Sequence, residues 1–239
     1  MSAAFAPVVS CEHGGHRVPA RYRTLFAGSK AILESHRGWD PGALELARAI
    51  AARLSGPLHV ALVTRLLVDL NRSLGHPRHF SEISARLERA ERGRVIVEHW
   101  TPHRACVEED IASLVRARRS VLHLSVHTFT PVLDGVGRNA DIGLLYDSRR
   151  TREKAFCACW RAELRAARPE LRVRLNYPYR GVADGFTTYL RRRFSAASYL
   201  GIELEVNQRL VLDERRGFRE LSRAIASTVA AATGASVRA

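Results

Sequence analysis

Residues 8–19 read VVSCEHGGHRVP, a β-branched apolar run that stops abruptly in Glu12, His13, two glycines and His16. The run has the composition of a buried strand. The polar residues at its end fit two descriptions, a tight turn carrying incidental histidines or a metal site at the mouth of a sheet. The turn asks nothing of the rest of the chain. The metal site requires further ligands at the ends of other strands.

Working outward, similar short apolar runs alternate with helical patterns along all 239 residues. That alternation predicts an α/β fold with a mixed, mostly parallel central sheet, built as one domain over residues 1–239. Strands are expected at Pro7–Cys11, Leu58–Val63, Leu66–Leu70, Val121–His127, Ile142–Tyr146, Val173–Tyr177 and Tyr199–Val206. Asp40-Pro41-Gly42 reads as a helix start, with Asp40 as N-cap and Pro41 in the first turn. Ala43, Leu46, Ala47, Ile50 and Leu54 then form one apolar face that runs to Ser55-Gly56-Pro57. An arginine- and glutamate-rich stretch from about Ile83 to Arg119 reads as one or two surface helices broken near Thr101-Pro102, with its charges solvated. Further helices are expected at Arg152–Ala167 and Arg215–Ala232.

The formal charge of +14 would ordinarily point to nucleic acid or an anionic membrane. Here Lys30 and Lys154 are the only lysines and the arginines are scattered, so a small anionic substrate explains the bias equally well. Cys11, Cys106, Cys157 and Cys159 lack the density and spacing of a secreted disulfide framework. With no signal-like N-terminus and no membrane-length apolar run, the expectation is a cytoplasmic chain with no membrane partner. Oligomeric state is not legible.

Ligands in open α/β sheets bind beyond the carboxyl ends of strands, and polar side chains concentrate there in this sequence. Two strand-end histidines and a carboxylate supply the three ligands of a catalytic zinc, with a fourth position left for water. In VLHLSVHT, His123 and His127 are four apart and share a strand face; His127 is nearer the end, so His123 reads as a buried, hydrogen-bonded neighbour. RLLVDLNRS ends in Asn71-Arg72, a planar fork for a substrate carboxylate unless Arg72 closes on Asp69. Arg65 is a second anion binder. In GIELEVN, Glu203, Glu205 and Asn207 alternate with apolar residues, as on an exposed strand edge or as a carboxylate aimed at a zinc-bound water. Alternation does not choose between the two glutamates.

SCEHGGHRVP, SHRGWDPGALELA, TRLLVDLNRS, HLSVHTFTP, DIGLLYD, NYPYRGVADG and GIELEVNQ, in this order from about residue 8 to 211, resemble the N-formylglutamate amidohydrolase family. The resemblance implies a three-layer, phosphorylase/hydrolase-like α/β fold related to zinc carboxypeptidases, aspartoacylase-like enzymes and cell-wall amidases. It implies zinc as cofactor, with His13 and His127 as ligands. Carboxypeptidase-like relatives carry a glutamate three residues after the first histidine; here that position is His16. Cell-wall amidases take a carboxylate from the start of the next helix, which corresponds to Asp40, leaving Glu12 and His16 as alternatives. By the same resemblance Asn71 and Arg72 hold the substrate carboxylate, Arg65 assists, Tyr179 and Arg180 close over an acidic acyl-amino acid, and Glu203 is the general base.

The implied reaction is zinc-dependent amide hydrolysis of an N-acylated amino acid, N-formyl-L-glutamate giving formate and glutamate. The rivals are a peptidoglycan-type amidase, opposed by the absent export signal, and an arginine-rich nucleic-acid binder.

Overall fold

The computed structural model describes residues 5–212 and 215–235. In chain order the strands are β1 (Ala6–Cys11), β2 (Leu58–Val60), β3 (Val121–Phe129), β4 (Val132–Leu133), β5 (Val136–Gly137), β6 (Ile142–Leu145), β7 (Val173–Leu175) and β8 (Tyr199–Asn207). The helices are α1 (Lys30–Glu34), α2 (Ala43–Leu54), α3 (Arg89–Val95), α4 (Thr101–Arg116), α5 (Thr151–Ala167), α6 (Phe186–Arg193), α7 (Arg209–Leu212) and α8 (Arg215–Ala235). Six strands form one sheet in the order β2-β1-β3-β8-β6-β7, and β4 and β5 form a separate hairpin. β2, β1, β3 and β8 run parallel, whereas β6 runs antiparallel to β8 and carries β7 parallel to itself. The sheet is therefore mixed and mostly parallel, and helical layers cover both of its faces.

Side-chain alternation decides which face receives the polar residues. Leu122, Leu124 and Val126 of β3 and Leu200, Ile202, Leu204 and Val206 of β8 enter the core shared with α2, α5 and α8. Each such fully buried aliphatic side chain contributes roughly 1.5–3 kcal/mol. With period two, His123, Ser125, His127, Glu203 and Glu205 must face the other layer. There Val107 and Ile111 of α4 and Phe186 and Leu190 of α6 pack on Val8, Val121 and Tyr199. All nine residues of β8 are buried, so its alternating glutamates lie on a central strand and not on an exposed edge.

Several expected elements differ. Leu66–Leu70 is not a strand but a buried turn; Leu66, Leu67, Val68 and Leu70 pack into a cluster with Tyr22 and Phe26, so their apolarity reflects burial without strand pairing. The turn's polar backbone is met by side chains: Ser81 Oγ donates to Leu66 O at 2.5 Å and Arg104 Nη1 to Leu70 O at 2.9 Å. β2 stops at Val60, followed by a lone bridge between Arg17 and Val63. Between α3 and α4 the chain does not break. A π-helical stretch, Ile96–Trp100, joins them, and Pro102, which has no N–H to give to the preceding turn, follows it in the first turn of α4. Arg104 in this stretch is buried rather than solvated, within 4.2–4.7 Å of the ring centres of Phe186, Trp100 and Tyr189. Helix α6 had no expectation. Asp40 does not cap α2: the N-cap is Gly42, in the left-handed region at φ 83°, and no side chain bonds to the helix end. No described helix is long and apolar enough to cross a membrane.

Candidate metal centre

The residues after β1 are fixed by close backbone contact with the segment beyond β2. Gly14 N–H donates to Ala61 O at 3.0 Å, and a Cβ on Gly15 would lie 2.8 Å from Leu62 O, so a side chain there would force the segments apart. His13 O in turn accepts the Asp40 N–H at 3.0 Å, which draws the start of α2 to the end of β1. The Asp40 carboxylate, free of any capping role, turns inward.

His13, Asp40 and His127 meet there, all buried, with one donor atom from each within 4.8 Å of the others. Nδ1 of His127 lies 2.9 Å and Nδ1 of His13 3.4 Å from the same oxygen, Asp40 Oδ2. The far nitrogens also have acceptors. His13 Nε2 is 2.8 Å from Asp69 Oδ1, a carboxylate that can only accept, so its proton belongs on Nε2. His127 Nε2 is 2.9 Å from Ser125 Oγ, whose own hydrogen goes to Glu12 Oε2 at 2.7 Å, so Ser125 accepts from a protonated Nε2. Both Nδ1 atoms converge on the same carboxylate oxygen. Two imidazoles with a carboxylate are the donor set of an open catalytic zinc site. Three carboxylates, Asp40, Asp69 and Glu12, touch the two imidazoles, and the Arg65 guanidinium pairs with the first two.

Titration follows from the same contacts. Burial alone would strip His127 of a second proton, but hydrogen bonds to and the charges of Asp40 and Glu12 hold its pKa well above the usual histidine range. Asp40, Asp69 and Glu12 are held well below the usual carboxylate range against their burial, by His13, His127 and Arg65, by Arg65 and His13, and by His103 and His127 respectively. Glu205 is the exception. Burial, with the charges of Asp40 and Glu203, raises it to about 8, and its Oε2 is buried without a partner.

A cleft of about 660 Å³ opens over the cluster and is lined by Arg65, Asn71, Arg72, Tyr179, Arg180, Glu203 and Glu205 among others. All the expected site residues thus share one cavity. Arg72 makes no ion pair with Asp69; its Nη1 donates to Asp184 O at 2.5 Å. Arg65 takes Asp69 instead, at 2.7 Å, and reaches Asp40 at 3.2 Å, so its charge is engaged by the metal-side carboxylates. Asn71 Oδ1 accepts the Phe186 N–H at 2.6 Å, which assigns its Nδ2 as the donor left for a ligand. Glu203 Oε1 accepts Thr187 Oγ1 at 2.5 Å. Tyr179 OH accepts Arg138 Nη1 at 2.9 Å. His123 is a core residue, between Ser10 Oγ and Tyr199 OH at 2.8 Å each, and His16 is exposed beside Trp39.

Sequence reasoning missed Asp69 as partner of His13, Thr187 as partner of Glu203, and Arg78 on the cleft wall. Asp69 had a signal, since it stands two residues before Asn71 in the same motif. Thr187 and Arg78 had none, because neither the helix start at Phe186 nor the fold of the 73–80 loop is marked by periodicity.

The structure is thus a three-layer α/β fold with a buried His/Asp/His cluster, the donor set of a metal site, beyond its parallel strand ends. The chain belongs to the N-formylglutamate amidohydrolase family, whose model matches residues 6–212. Among solved structures it is similar to gene product Atu2144 from Agrobacterium tumefaciens, at 28% identity and a TM-score of 0.83, covering 98% of this chain and 92% of that one. It is also similar to an N-formylglutamate amidohydrolase from Ralstonia eutropha JMP134, at 20% identity and a TM-score of 0.74, covering 99% and 95%. The second likeness speaks for the fold. No curated protein matches the chain. Family membership supports an amidohydrolase role.

Proposed function

We propose that the chain is a zinc-dependent amidohydrolase that hydrolyses the amide of an N-acylated acidic amino acid, with N-formyl-L-glutamate as the first substrate to test. The observation that carries this reading is the convergence of two imidazole nitrogens and the Asp40 carboxylate at the floor of a cleft lined with arginine. His13, Asp40 and His127 would hold the metal. Zinc bound there supplies Lewis acidity, polarising the acyl oxygen and lowering the pKa of water from about 15.7 towards 7.

The chain's own residues do the rest. Arg72, placed by Asp184, and the Nδ2 of Asn71 bind the substrate carboxylate, and Arg180, which makes no ion pair with a described residue, serves a second acidic group. Tyr179 closes the outer wall. A β8 glutamate accepts a proton from the attacking water and delivers it to the leaving nitrogen as the C–N bond breaks, so water is divided between formate and glutamate. Glu203 suits this task because Thr187 holds one oxygen and leaves the other uncommitted. A specific observation favours Glu205 as a second reading: it stands opposite His127 in the β3–β8 register, where Glu203 stands opposite Ser125, and it has an unpartnered buried oxygen. We further propose that residues 1–239 form one domain that works in the cytoplasm on a small molecule.

Glutamine substitution separates the two carriers. The true one loses kcat by roughly 100- to 10,000-fold with zinc retained, and the other changes it little. If neither substitution lowers kcat, proton transfer by β8 is wrong.

A further inference from the structure

Glu12 is a buried anion that the proposed reaction does not use. It is 0% exposed, directly precedes His13, and has no arginine or lysine among its described partners. Burying a carboxylate costs several kcal/mol unless hydrogen bonds or opposite charge offset it. Its Oε2 accepts the Ser125 hydroxyl at 2.7 Å and lies 3.3 Å from His127 Nε2. Its Oε1 has no hydrogen bond and lies 3.5 Å from His103 Nε2, on α4. The hydrogen-bond and ion-pair partners of Glu12 are thus a hydroxyl and two imidazoles, with the buried Arg104 guanidinium within reach of its charge, and the imidazole it approaches most closely is a proposed metal ligand.

The geometry excludes Glu12 as a ligand to the same metal. It stands on the Nε2 side of His127, whereas His13 and Asp40 stand on the Nδ1 side. What Glu12 can do is set which nitrogen carries the proton. Because it takes the Ser125 hydrogen, Ser125 Oγ is left as an acceptor for His127 Nε2–H. A metal on Nδ1 leaves the imidazole a single proton, on Nε2, and the Ser125–Glu12 pair is placed to accept it. Without Glu12 the Ser125 hydroxyl could turn and donate to Nε2, which would put the proton on Nδ1 and block the ligand position.

We propose that Glu12, acting through Ser125, is a positioning residue that locks His127 in its metal-binding tautomer, as Asp69 does directly for His13. This rests on the reading of His13, Asp40 and His127 as a metal centre.

The test is zinc affinity, measured by competition with a chelating dye on wild type, Glu12→Gln and Ser125→Ala, with the visible spectrum of the cobalt(II) protein as second readout. Outer-shell carboxylates of this kind are worth 10- to 100-fold in metal affinity. We expect Ser125→Ala, which removes the acceptor of Nε2–H, to weaken zinc by about that factor, Glu12→Gln, whose amide oxygen still accepts the Ser125 hydrogen, to weaken it by less, and both to shift the cobalt bands while the metal-free melting temperature of Glu12→Gln does not fall. A merely structural role would lower that melting temperature and leave affinity alone. Wild-type zinc affinity in both variants would overturn the proposal, and if Glu12→Gln fails to fold, Ser125→Ala decides by itself. A wild type that binds no zinc overturns the metal reading and this inference with it, an outcome already visible in the first titration.

Discussion

Asp40 shows how one side chain was legible in part. Its position before a helical run suggested a cap, and its place in the family pattern suggested a ligand; the two uses compete for the same oxygens. The chain resolves the competition with Gly42 at the cap, which leaves the carboxylate to face His13 and His127. Asp40→Asn should therefore abolish tight zinc binding without loss of helix content by far-UV circular dichroism, and normal zinc content would remove Asp40 from the site. His123 makes the opposite point, a histidine in a promising motif that serves the core. Burial lowers its pKa from the ordinary 6.5 to about 4, so between those values the unfolded chain binds more protons than the folded one. Its contribution is complete above pH 6.5 and is lost as pH falls, up to about 3 kcal/mol at pH 4. Urea midpoints of the metal-free protein should drop more steeply from pH 7 to 4 in wild type than in His123→Gln; parallel curves would show that His123 is not held neutral.

At the level of elements, period-two alternation in β3 and β8 was readable and carried most of the site, because the same rule that buries Leu124 and Ile202 presents His127 and both glutamates together. The Leu66–Leu70 turn was not readable. Its side chains are as buried as those of a strand, and only the partners of its backbone, Ser81 and Arg104, distinguish the two. Another unreadable feature is the packing of β6 on the loop after β7. A Cβ on Gly143 would fall 1.9 Å from Tyr177 O, so this strand position tolerates no side chain while the Asn176–Gly181 loop stays where it brings Tyr179 to the cleft. Gly143→Ala should cost about 1–3 kcal/mol, the usual penalty of overpacking, read as a lower urea midpoint. An unchanged midpoint would mean that the loop is not packed against β6 in this way.

For the whole molecule, the formal charge of +14 says less about partners than its size suggests. Arg104 and Arg191 are buried, Arg191 with Glu153 at 3.1 Å, and Arg150 donates to the carbonyls of Tyr199, Arg191 and Phe194. Others face the cleft. Such arginines join layers and line a site, uses that composition cannot separate from binding a polyanion. The proposed activity requires that this fold use a metal at His13, Asp40 and His127 to hydrolyse an N-formyl amide. The most direct measurement is formate release from N-formyl-L-glutamate by the purified protein before chelation, after it, and after one equivalent of zinc is returned. Release should disappear with the metal and return with zinc, with no recovery in His13→Ala or His127→Ala. Undiminished release by the metal-free protein, or none from the zinc-loaded wild type, would contradict a metal-dependent hydrolysis at this site.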